Sequence, residues 1–444
     1  MLWHNPQGIL DFIGDGWGIL GARKRDIVAR VLSGFLLCRG KKSFAAMART
    51  LAGEQRHRAS VSKVFNRCHF ATRDIYTRAL ESVLSGIAPL RKRKSRQWVA
   101  ILDGVYTQRG GFAKIENARE FRHKRHGKGR STKAHTFLMG LLLTDTGMRL
   151  PLPRRSWYTK AYCRKHRRPY VTMTALMKLM LETLKVPEDV QVVVLADEYF
   201  EGSVLHRTCA ALHMLYICPI NSRRCFADPK GNPTGETLYD RGLALPRSAL
   251  TRVILRSPED ATAVYRRRTG KHHPKRVYFA TSEVRGVSTL GDVRIAYSWK
   301  TQTHRRRRSR RTFKVLVSNA LAWSTETLIE FYELRWQIEI FFRELKSFLG
   351  IEDFTGAAFP AYERFVDMAL LAYLFLESWR AHHVHAAPSL PEKARFSSAR
   401  TGTLLNLFHQ EASMESLRDL TASLRSRKDL RHVIHCLERL QRAA

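Results

Sequence analysis

The stretch YELRWQIEIFFRELK, from Tyr332 to Lys346, carries charged and aromatic side chains at helical spacing. Tyr332, Glu339 and Lys346 follow one another every seven residues, which on an α-helix leaves them in one stripe with about 20° of drift per step. Arg335 precedes Glu339 by one turn and lies beside that stripe. A carboxylate for a metal ion and cations for phosphate would then face one ligand. The simpler alternative is an amphipathic helix with an exposed Arg335–Glu339 pair that contributes ~0.3–0.5 kcal/mol.

Two further carboxylates stand where apolar strands are predicted to end. Asp103 follows WVAIL and Asp197 follows VVVLA. In an open α/β sheet the carboxyl ends of strands face the functional crevice. Oxygen ligands suit Mg²⁺ or Mn²⁺, and two such ions about 3.5–4 Å apart stabilise the attacking and leaving oxygens of a displacement at phosphorus. We therefore predict that Asp103, Asp197 and Glu339 bind two Mg²⁺ (or Mn²⁺) ions and act on a phosphodiester.

Each aspartate has an alternative interpretation. Asp103 precedes a glycine and could simply end a strand in a turn. Glu198 could replace Asp197 as the ligand if the strand ended one residue later. Asp145 is also acidic, but DTG between two apolar strands is typical of a hairpin turn, so we do not expect it to bind metal.

The elements that must position these residues form an α/β pattern. A strand leads into Asp103, and a hairpin, an amphipathic helix and the apolar strand before Asp197 follow it. Gly, Pro, Arg and short strands then predict a β-rich insertion, after which FKVLVSNA is a core strand and a single long helix runs from about Thr325 to Leu349. The predicted division is a first part of the core at 95–221, the insertion at 222–311 and a second part of the core at 312–350.

Helical patterns flank this core. Residues 1–94 show apolar positions every three or four residues, and Ser43 and Ser60 are placed as N-caps of two short helices. This favours a helical DNA-binding region resembling a helix-turn-helix, although a plain helical bundle gives the same pattern. Residues 351–444 are predicted to be mostly helical and to form dimer contacts.

The composition favours a nucleic-acid partner. Lys and Arg total 77 against 39 Asp and Glu, a formal charge of +38 over 444 residues. Such a field attracts polyanions, and neutralising phosphates releases counterions. We expect the runs Arg91–Arg96 and Arg305–Arg311 to contact phosphate. Trp299 is expected in the core, with stacking on an extruded base as the alternative.

Membrane and disulfide classes are disfavoured. The longest apolar stretch, Met368–Leu376, is too short to cross a bilayer, and the N-terminus has no signal-peptide pattern. The seven cysteines include no CxxC pair, and Cys163 with His166 has no second pair for zinc. We expect a cytoplasmic, nucleoid-associated protein without a membrane partner.

The spacing Y-x2-R-x3-E-x6-K is met by Tyr332, Arg335, Glu339 and Lys346. It resembles the insertion-sequence-four (YREK-motif) family of DDE transposases, over roughly residues 95–350. The resemblance implies an α/β fold with an RNase H-like catalytic core that carries the β-rich insertion and is flanked by helical regions. It also implies that Tyr332, Arg335 and Lys346 grip phosphates at the transposon end, while the two aspartates and Glu339 are metal ligands.

By this resemblance, the expected function is cut-and-paste transposition of an insertion sequence, with double-stranded DNA as substrate and a homodimer holding the two ends. One alternative is a catalytically inactive, transposase-derived DNA-binding protein. Tyr199 favours it, because members of the family usually carry glycine at that position. The other alternative is a nuclease of the same fold that cuts without joining.

Overall fold

A computed structural model of the chain describes residues 5–14, 18–50, 58–67, 71–87, 96–109, 114–123, 130–255, 276–300, 313–386, 389 and 399–423. Within these ranges one mixed sheet forms the centre of the molecule. Its strands are β1 (Arg96–Arg109), β2 (Arg119–His123), β3 (Arg130–Leu143), β4 (Arg149–Pro151), β5 (Arg155–Ser156), β6 (Val190–Ala196), β7 (Leu215–Pro219), β8 (Cys225–Ala227), β9 (Pro233–Thr237), β10 (Thr251–Leu255), β11 (Arg276–Val287), β12 (Gly291–Lys300) and β13 (Phe313–Ser318).

Helices cover both faces of the sheet. They are α1 (Gln7–Ile13), α2 (Ala22–Leu37), α3 (Phe44–Ala48), α4 (Arg58–Arg67), α5 (Thr72–Ser85), α6 (Lys160–Lys165), α7 (Met173–Glu182), α8 (Ser203–Ala211), α9 (Leu238–Ala244), α10 (Thr325–Glu333), α11 (Trp336–Ser347), α12 (Phe359–Ala386) and α13 (Thr401–Ser423).

The sheet has the order β2-β3-β1-β6-β7-β13-β12-β11-β8-β9, with β4 and β5 paired to β3 and β10 paired to β11. The neighbouring strands β1, β6 and β7 are parallel, and β3 is antiparallel to β1. The apolar run of β6 is buried from Val192 to Ala196, as expected for a strand with both faces covered. This is the predicted α/β fold class with an RNase H-like core.

The predicted β-rich insertion continues the core sheet. β12 pairs with β13, and β11 pairs with β12, so the inserted strands extend the sheet beyond the core. Trp299 in β12 is 5% exposed and its ring lies 5.2 Å from that of Phe313. It is therefore a core residue, as preferred from the sequence. The run Arg305–Arg311 lies outside the described residues.

Asp145 is in a hairpin turn, as predicted. The amide of Thr144 donates to the carbonyl of Met148, and Gly147 has a φ of 78°, which favours glycine. Asp145 accepts hydrogen bonds from Arg96 Nε and Trp98 Nε1, both at 2.8 Å. It stabilises the first strand and has no part in the candidate site.

One prediction about the basic run Arg91–Arg96 is wrong. Arg96 is not exposed to a DNA phosphate. It begins β1, is 2% exposed, and pairs with Asp145 at 2.8 Å and Asp189 at 3.3 Å. Asp145 and Asp189 are remote from Arg96 in sequence, so the basic composition of residues 91–96 could not predict these ion pairs. Residues 88–95 lie outside the described part.

The N-terminal helices pack on the C-terminal helix α12. The ring of Phe365 in α12 lies 4.9 Å from Phe35 in α2 and 5.4 Å from Phe65 in α4, and Thr72 donates to Asp367 at 2.7 Å. The described parts of the two predicted flanking regions therefore form one helical layer. Although α12 is long, no described helix is long and apolar enough to cross a membrane.

The predicted N-caps of the short N-terminal helices had different outcomes. Ser43 is an N-cap, and its hydroxyl accepts from the amide of Ala46. Ser60 lies inside α4, which begins at Arg58, so its predicted capping role is wrong. The two short helices predicted for a helix-turn-helix are present as α3 and α4.

Candidate active site

The first two carboxylates lie on neighbouring parallel strands. The pairing of β1 with β6 ends with Leu102 opposite Ala196, so the next residue on each strand is Asp103 and Asp197. Asp197 directly follows β6, as predicted. Asp103 is not at a strand end, because β1 continues to Arg109 against the long strand β3. Only the β6 side of β1 opens at Asp103, and that opening forms the crevice.

Arg335 connects two of the predicted metal ligands. Its Nη1 donates to Asp103 Oδ2 at 3.2 Å, and its Nη2 lies 3.9 Å from Glu339 Oε1. The side chains of Asp103 and Arg335 are each 17% exposed, whereas that of Glu339 is 39% exposed. The other oxygen of Asp103 accepts from the amide of Gly104 at 2.7 Å. The guanidinium therefore lies between Asp103 and Glu339.

The three carboxylates share one electrostatic environment. Burial raises the pKa of Asp103 to about 6, against the opposing effects of Arg335 and the Gly104 amide, and the charges of Asp197 and Glu339 raise it further. Burial opposes the charge of Arg335, yet the surrounding acidic groups raise its pKa overall. The charges of Asp197 and Glu339 therefore both reach Asp103.

Tyr332 borders this group from the end of α10. It is 9% exposed, and burial raises the pKa of its phenol well above the usual range, opposed by the charge of Arg335 and a hydrogen bond with it. Lys314 Nζ lies 5.8 Å from the centre of the Tyr332 ring. Sequence analysis missed Lys314; its signal is the exposed position it holds in the otherwise buried strand FKVLVS.

The predicted single helix carrying these residues is two helices. The amides of Leu334 and Arg335 donate to carbonyls three residues earlier, those of Phe331 and Tyr332, both at 3.0 Å. Such 3₁₀ bonds tighten the chain between α10 and α11 and change the angle between successive side chains. Neither Gly nor Pro marks this turn, so the sequence pattern predicted one continuous helix.

Lys346 lies apart from the other motif residues. Its Nζ donates to the carbonyl of Tyr106 at 2.7 Å and lies 2.9 Å from Glu352 Oε1, which also accepts from the amide of Gln108 at 2.8 Å. Lys346 and Glu352 therefore cap the edge of β1 that β6 leaves unpaired. Lys346 is seven positions beyond Glu339 on the helix, a rise of about 10.5 Å.

The segment after Asp197 also places its neighbours. Glu198 and Tyr199 begin a 3₁₀ turn and are both exposed, Tyr199 by 68%. Phe200, the next residue, is 1% exposed and lies in the core. The thiol of Cys218 donates to the carbonyl of Asp197 at 3.2 Å, which helps to fix the backbone there. Cys218 was missed because a cysteine in an apolar strand gives no signal of this contact.

Residues 95–375 match the family model described as the transposase DDE domain. The chain belongs to the DDE transposase family. The matched segment begins one residue before β1 and ends within α12, so it contains all six candidate residues. This membership supports a transposase-type function with DNA as the partner. No curated protein matches the chain.

The donor set of this DDE transposase suits a hard divalent cation, because carboxylate oxygens are the ligands that Mg²⁺ and Mn²⁺ prefer. In the described residues, however, no three His, Cys, Asp or Glu side chains stand close enough together to hold a metal ion. The guanidinium of Arg335 separates Asp103 from Glu339 and neutralises part of their charge. Metal binding would require this side chain to turn away.

Proposed function

We propose that the chain is a transposase of the insertion-sequence-four (YREK-motif) type that cuts DNA at the ends of an insertion sequence and joins them to target DNA. The observation that carries the proposal is the meeting of Asp103 and Asp197 on adjacent strands, with Arg335 linking Asp103 to Glu339. The gapless spacing of Tyr332, Arg335, Glu339 and Lys346 supports the assignment to this type.

In this proposal Asp103, Asp197 and Glu339 hold two Mg²⁺ (or Mn²⁺) ions. When bound, the ions stabilise the charge on the attacking and leaving oxygens. Water attacks the phosphorus at the element's end, and the bond to the 3′ oxygen breaks, which leaves a 3′ hydroxyl on one fragment and a 5′ phosphate on the other. That 3′ hydroxyl later attacks a phosphodiester of target DNA in the same pocket and displaces a 3′ hydroxyl of the target strand. No covalent bond to the protein is needed.

The motif cations exchange partners in this mechanism. Arg335 turns from Asp103 to a DNA phosphate, to which its guanidinium can donate two hydrogen bonds. This frees the carboxylates to bind the metal ions. The phenol of Tyr332 orients Arg335. Lys346 leaves Glu352 for a second phosphate. Each exchange replaces an internal ion pair by one with DNA, so binding is coupled to assembly of the site.

The flanking regions complete the proposed complex. Residues 1–94 would bind DNA through α3 and α4, residues 222–311 would be the insertion between the two core parts, and 351–444 would contact the second subunit of a homodimer. Two transposon ends require two sites, which is the reason for a dimer. Sedimentation of the complex assembled on paired ends should show two subunits, and a single subunit on both ends would contradict this.

The decisive test compares the wild type with Glu339→Gln on DNA carrying the native element ends, in Mg²⁺. The amide keeps the shape of the side chain but loses the charge that holds a metal ion, so the variant should bind DNA normally and lose more than about 100-fold in cleavage. Glu330→Gln is the matched control, since it removes the same charge at an exposed position in α10. Equal cleavage by Glu339→Gln and the control would reject the proposal.

A second candidate function is DNA binding without cleavage. It is favoured by the exposed Tyr199 at a position where the family carries glycine. A wild-type protein that binds element ends and never cuts them in Mg²⁺ or Mn²⁺ would support this candidate. Cutting without insertion of the 3′ ends into plasmid DNA would instead identify a nuclease.

A further inference from the structure

A strip of aromatic rings and cations crosses the outer end of the sheet. It is built on β1, on β2 and on the segments around α6. We call it the aromatic strip, and its members are Tyr106, Phe121, Arg119, Trp157, Tyr170 and Lys160.

Contacts run along the whole strip. The rings of Tyr106 and Phe121 are 4.4 Å apart and meet edge to face. The guanidinium of Arg119 lies 5.4 Å from the Phe121 ring and 6.0 Å from the Trp157 ring. Trp157 lies 6.1 Å from Tyr170, and Lys160 Nζ lies 5.4 Å from the Tyr170 ring. The strip is therefore continuous.

The strand register explains why these side chains share a face. Tyr106, Arg119 and Phe121 pair with Thr136, Ala134 and Thr132 of β3, respectively. Residues 132, 134 and 136 are alternate residues of β3, so their side chains point to one side of the sheet. Paired residues of neighbouring strands share a side, so Tyr106, Arg119 and Phe121 point to that side as well. The amide of Trp157 donates to the carbonyl of Thr136 at 3.1 Å, which brings the second half of the strip alongside.

The strip is open to solvent at both ends. Tyr106 is 50% exposed and Tyr170 is 42% exposed, and both Arg119 and Lys160 are exposed. A ring that only completed the core would be buried, as Trp98 and Phe137 are. The exposed rings are free to contact a ligand.

The chemistry of the strip fits single-stranded DNA. Exposed rings stack on base faces and the cations between them attract phosphates, which is how unpaired strands are bound without regard to sequence. A duplex presents its phosphates but hides its base faces, so it would use only half of this surface. Tyr106 is three residues beyond Asp103 on β1, about 10 Å along the strand, and its side chain therefore points to the opposite face of the sheet from that of Asp103.

We propose that the aromatic strip binds an unpaired DNA strand on the face of the sheet opposite to Asp103. The inference rests on the proposed function for the origin of that strand, but binding itself needs no metal ion. The strip would hold one strand on this face while the other strand is positioned at Asp103 and Glu339 on the other face.

Fluorescence anisotropy in EDTA tests this proposal with a labelled oligothymidylate strand and with a labelled duplex of the same length. Tyr170→Ala should weaken single-strand binding about tenfold and duplex binding by less than about twofold, because stacking on one ring is lost. Tyr170→Phe keeps the ring and should bind like the wild type. An equal loss on both DNAs, or no loss on the single strand, would overturn the proposal.

Arg119→Ala separates the strip from the general basic charge. It should weaken single-strand binding more than Lys178→Ala, which removes an equal charge from the exposed side of α7, outside the strip. Equal effects of the two variants would mean that charge alone binds the strand, and would overturn the proposal.

Photo-crosslinking gives a measurement that needs no variant. An oligonucleotide containing bromodeoxyuridine should crosslink to peptides that contain Tyr106, Trp157 or Tyr170. Crosslinks confined to other peptides would reject the strip as the binding surface. Because neither method uses Mg²⁺, rejection of the proposed function by the Glu339→Gln comparison would leave these results interpretable.

Discussion

Arg335 holds the place between Asp103 and Glu339 where the proposed function needs a divalent cation. Its guanidinium is 3.2 Å from one carboxylate and 3.9 Å from the other. A monovalent side-chain cation thus balances charges that would otherwise repel one another in a half-buried crevice. Under the proposed function, the Arg335 side chain and a metal ion would compete for the same carboxylate oxygens.

This competition predicts the behaviour of Arg335→Gln without DNA. Loss of the guanidinium leaves Asp103 without its partner, so the free energy of unfolding should fall by about 1–3 kcal/mol in EDTA. Mg²⁺ or Ca²⁺ should bind the variant about tenfold more tightly than the wild type and restore part of the stability. Calorimetric titration and thermal unfolding measure both effects.

Arg343→Gln provides the control, because Arg343 is an exposed residue of the same helix. It should leave metal affinity unchanged. Weaker metal binding by Arg335→Gln than by the wild type would show that the guanidinium organises the carboxylates instead of competing for them.

His135 gives a prediction for the dependence of stability on pH. It is 1% exposed, contacts the rings of Phe359 and Tyr362 at 4.7 and 4.9 Å, and bonds the carbonyl of Glu116 at 2.8 Å. Burial lowers its pKa to about 4. Between pH 4 and the ordinary pKa of 6.5, the unfolded chain binds more protons than the folded protein. The contribution of neutral His135 to stability is therefore fully present above pH 6.5 and is lost as the pH falls.

From pH 7 to pH 5, His135 should contribute a loss of about 2 kcal/mol in the free energy of unfolding. His135→Gln keeps a side-chain donor for the carbonyl of Glu116 but does not titrate in this range. Urea unfolding at the two pH values should therefore show a smaller pH effect in the variant. The same pH effect in both proteins would contradict the assignment.

At the scale of elements, helix α12 carries a buried ionic network. Glu377 is 1% exposed, its Oε1 lies 2.5 Å from Arg149 Nη2, and its Oε2 lies 2.8 Å from Arg380 Nη2. These bonds join α12 to β4, since Arg149 is the first residue of that strand. The two arginines hold the pKa of Glu377 below its usual range despite its burial.

Glu377→Ala should destabilise the protein by about 3–5 kcal/mol, because it removes the acidic partner of the buried Arg380 and leaves Arg149 with only Glu344, at 4.0 Å. Glu330→Ala, at an exposed position, should change the free energy of unfolding by less than about 0.5 kcal/mol. Chemical denaturation at constant ionic strength compares them. Similar small effects would mean that water or other acids replace Glu377.

The elements that could be predicted from sequence are those with a strong local pattern. The apolar run before Asp197, the hairpin at Asp145 and the helix Met173–Glu182 were predicted correctly, because burial and turn chemistry are local properties. The turn at Leu334 was missed because no residue there is a helix breaker. The position of Arg96 depends on partners remote in sequence, which no local pattern reveals.

For the candidate site, the sequence pattern selected residue types, and the structure shows an arrangement that the pattern did not predict. The guanidinium of Arg335 contacts Asp103 and Glu339, whereas Lys346 lies apart from them. The pairing of Lys346 with Glu352 could not be predicted, because it depends on where β6 ends relative to β1.

At the scale of the whole molecule, the formal charge of +38 predicts a steep effect of salt on DNA binding. If 6–10 phosphates are neutralised, affinity for a duplex should fall by about 10³–10⁵ between 50 and 200 mM salt, since counterion release is lost. Anisotropy titrations at several salt concentrations measure the slope. A slope that corresponds to fewer than about two phosphates would contradict binding through the basic surface.

The packing of α2, α4 and α5 on α12 determines when the molecule can be completed during its synthesis. These three helices leave the ribosome well before their hydrophobic partner in residues 359–386. At about 5–20 residues per second, the delay between them is on the order of 15–60 s. Until then the early helices expose apolar faces that chaperones can bind, and the nascent chain lacks the finished helical layer.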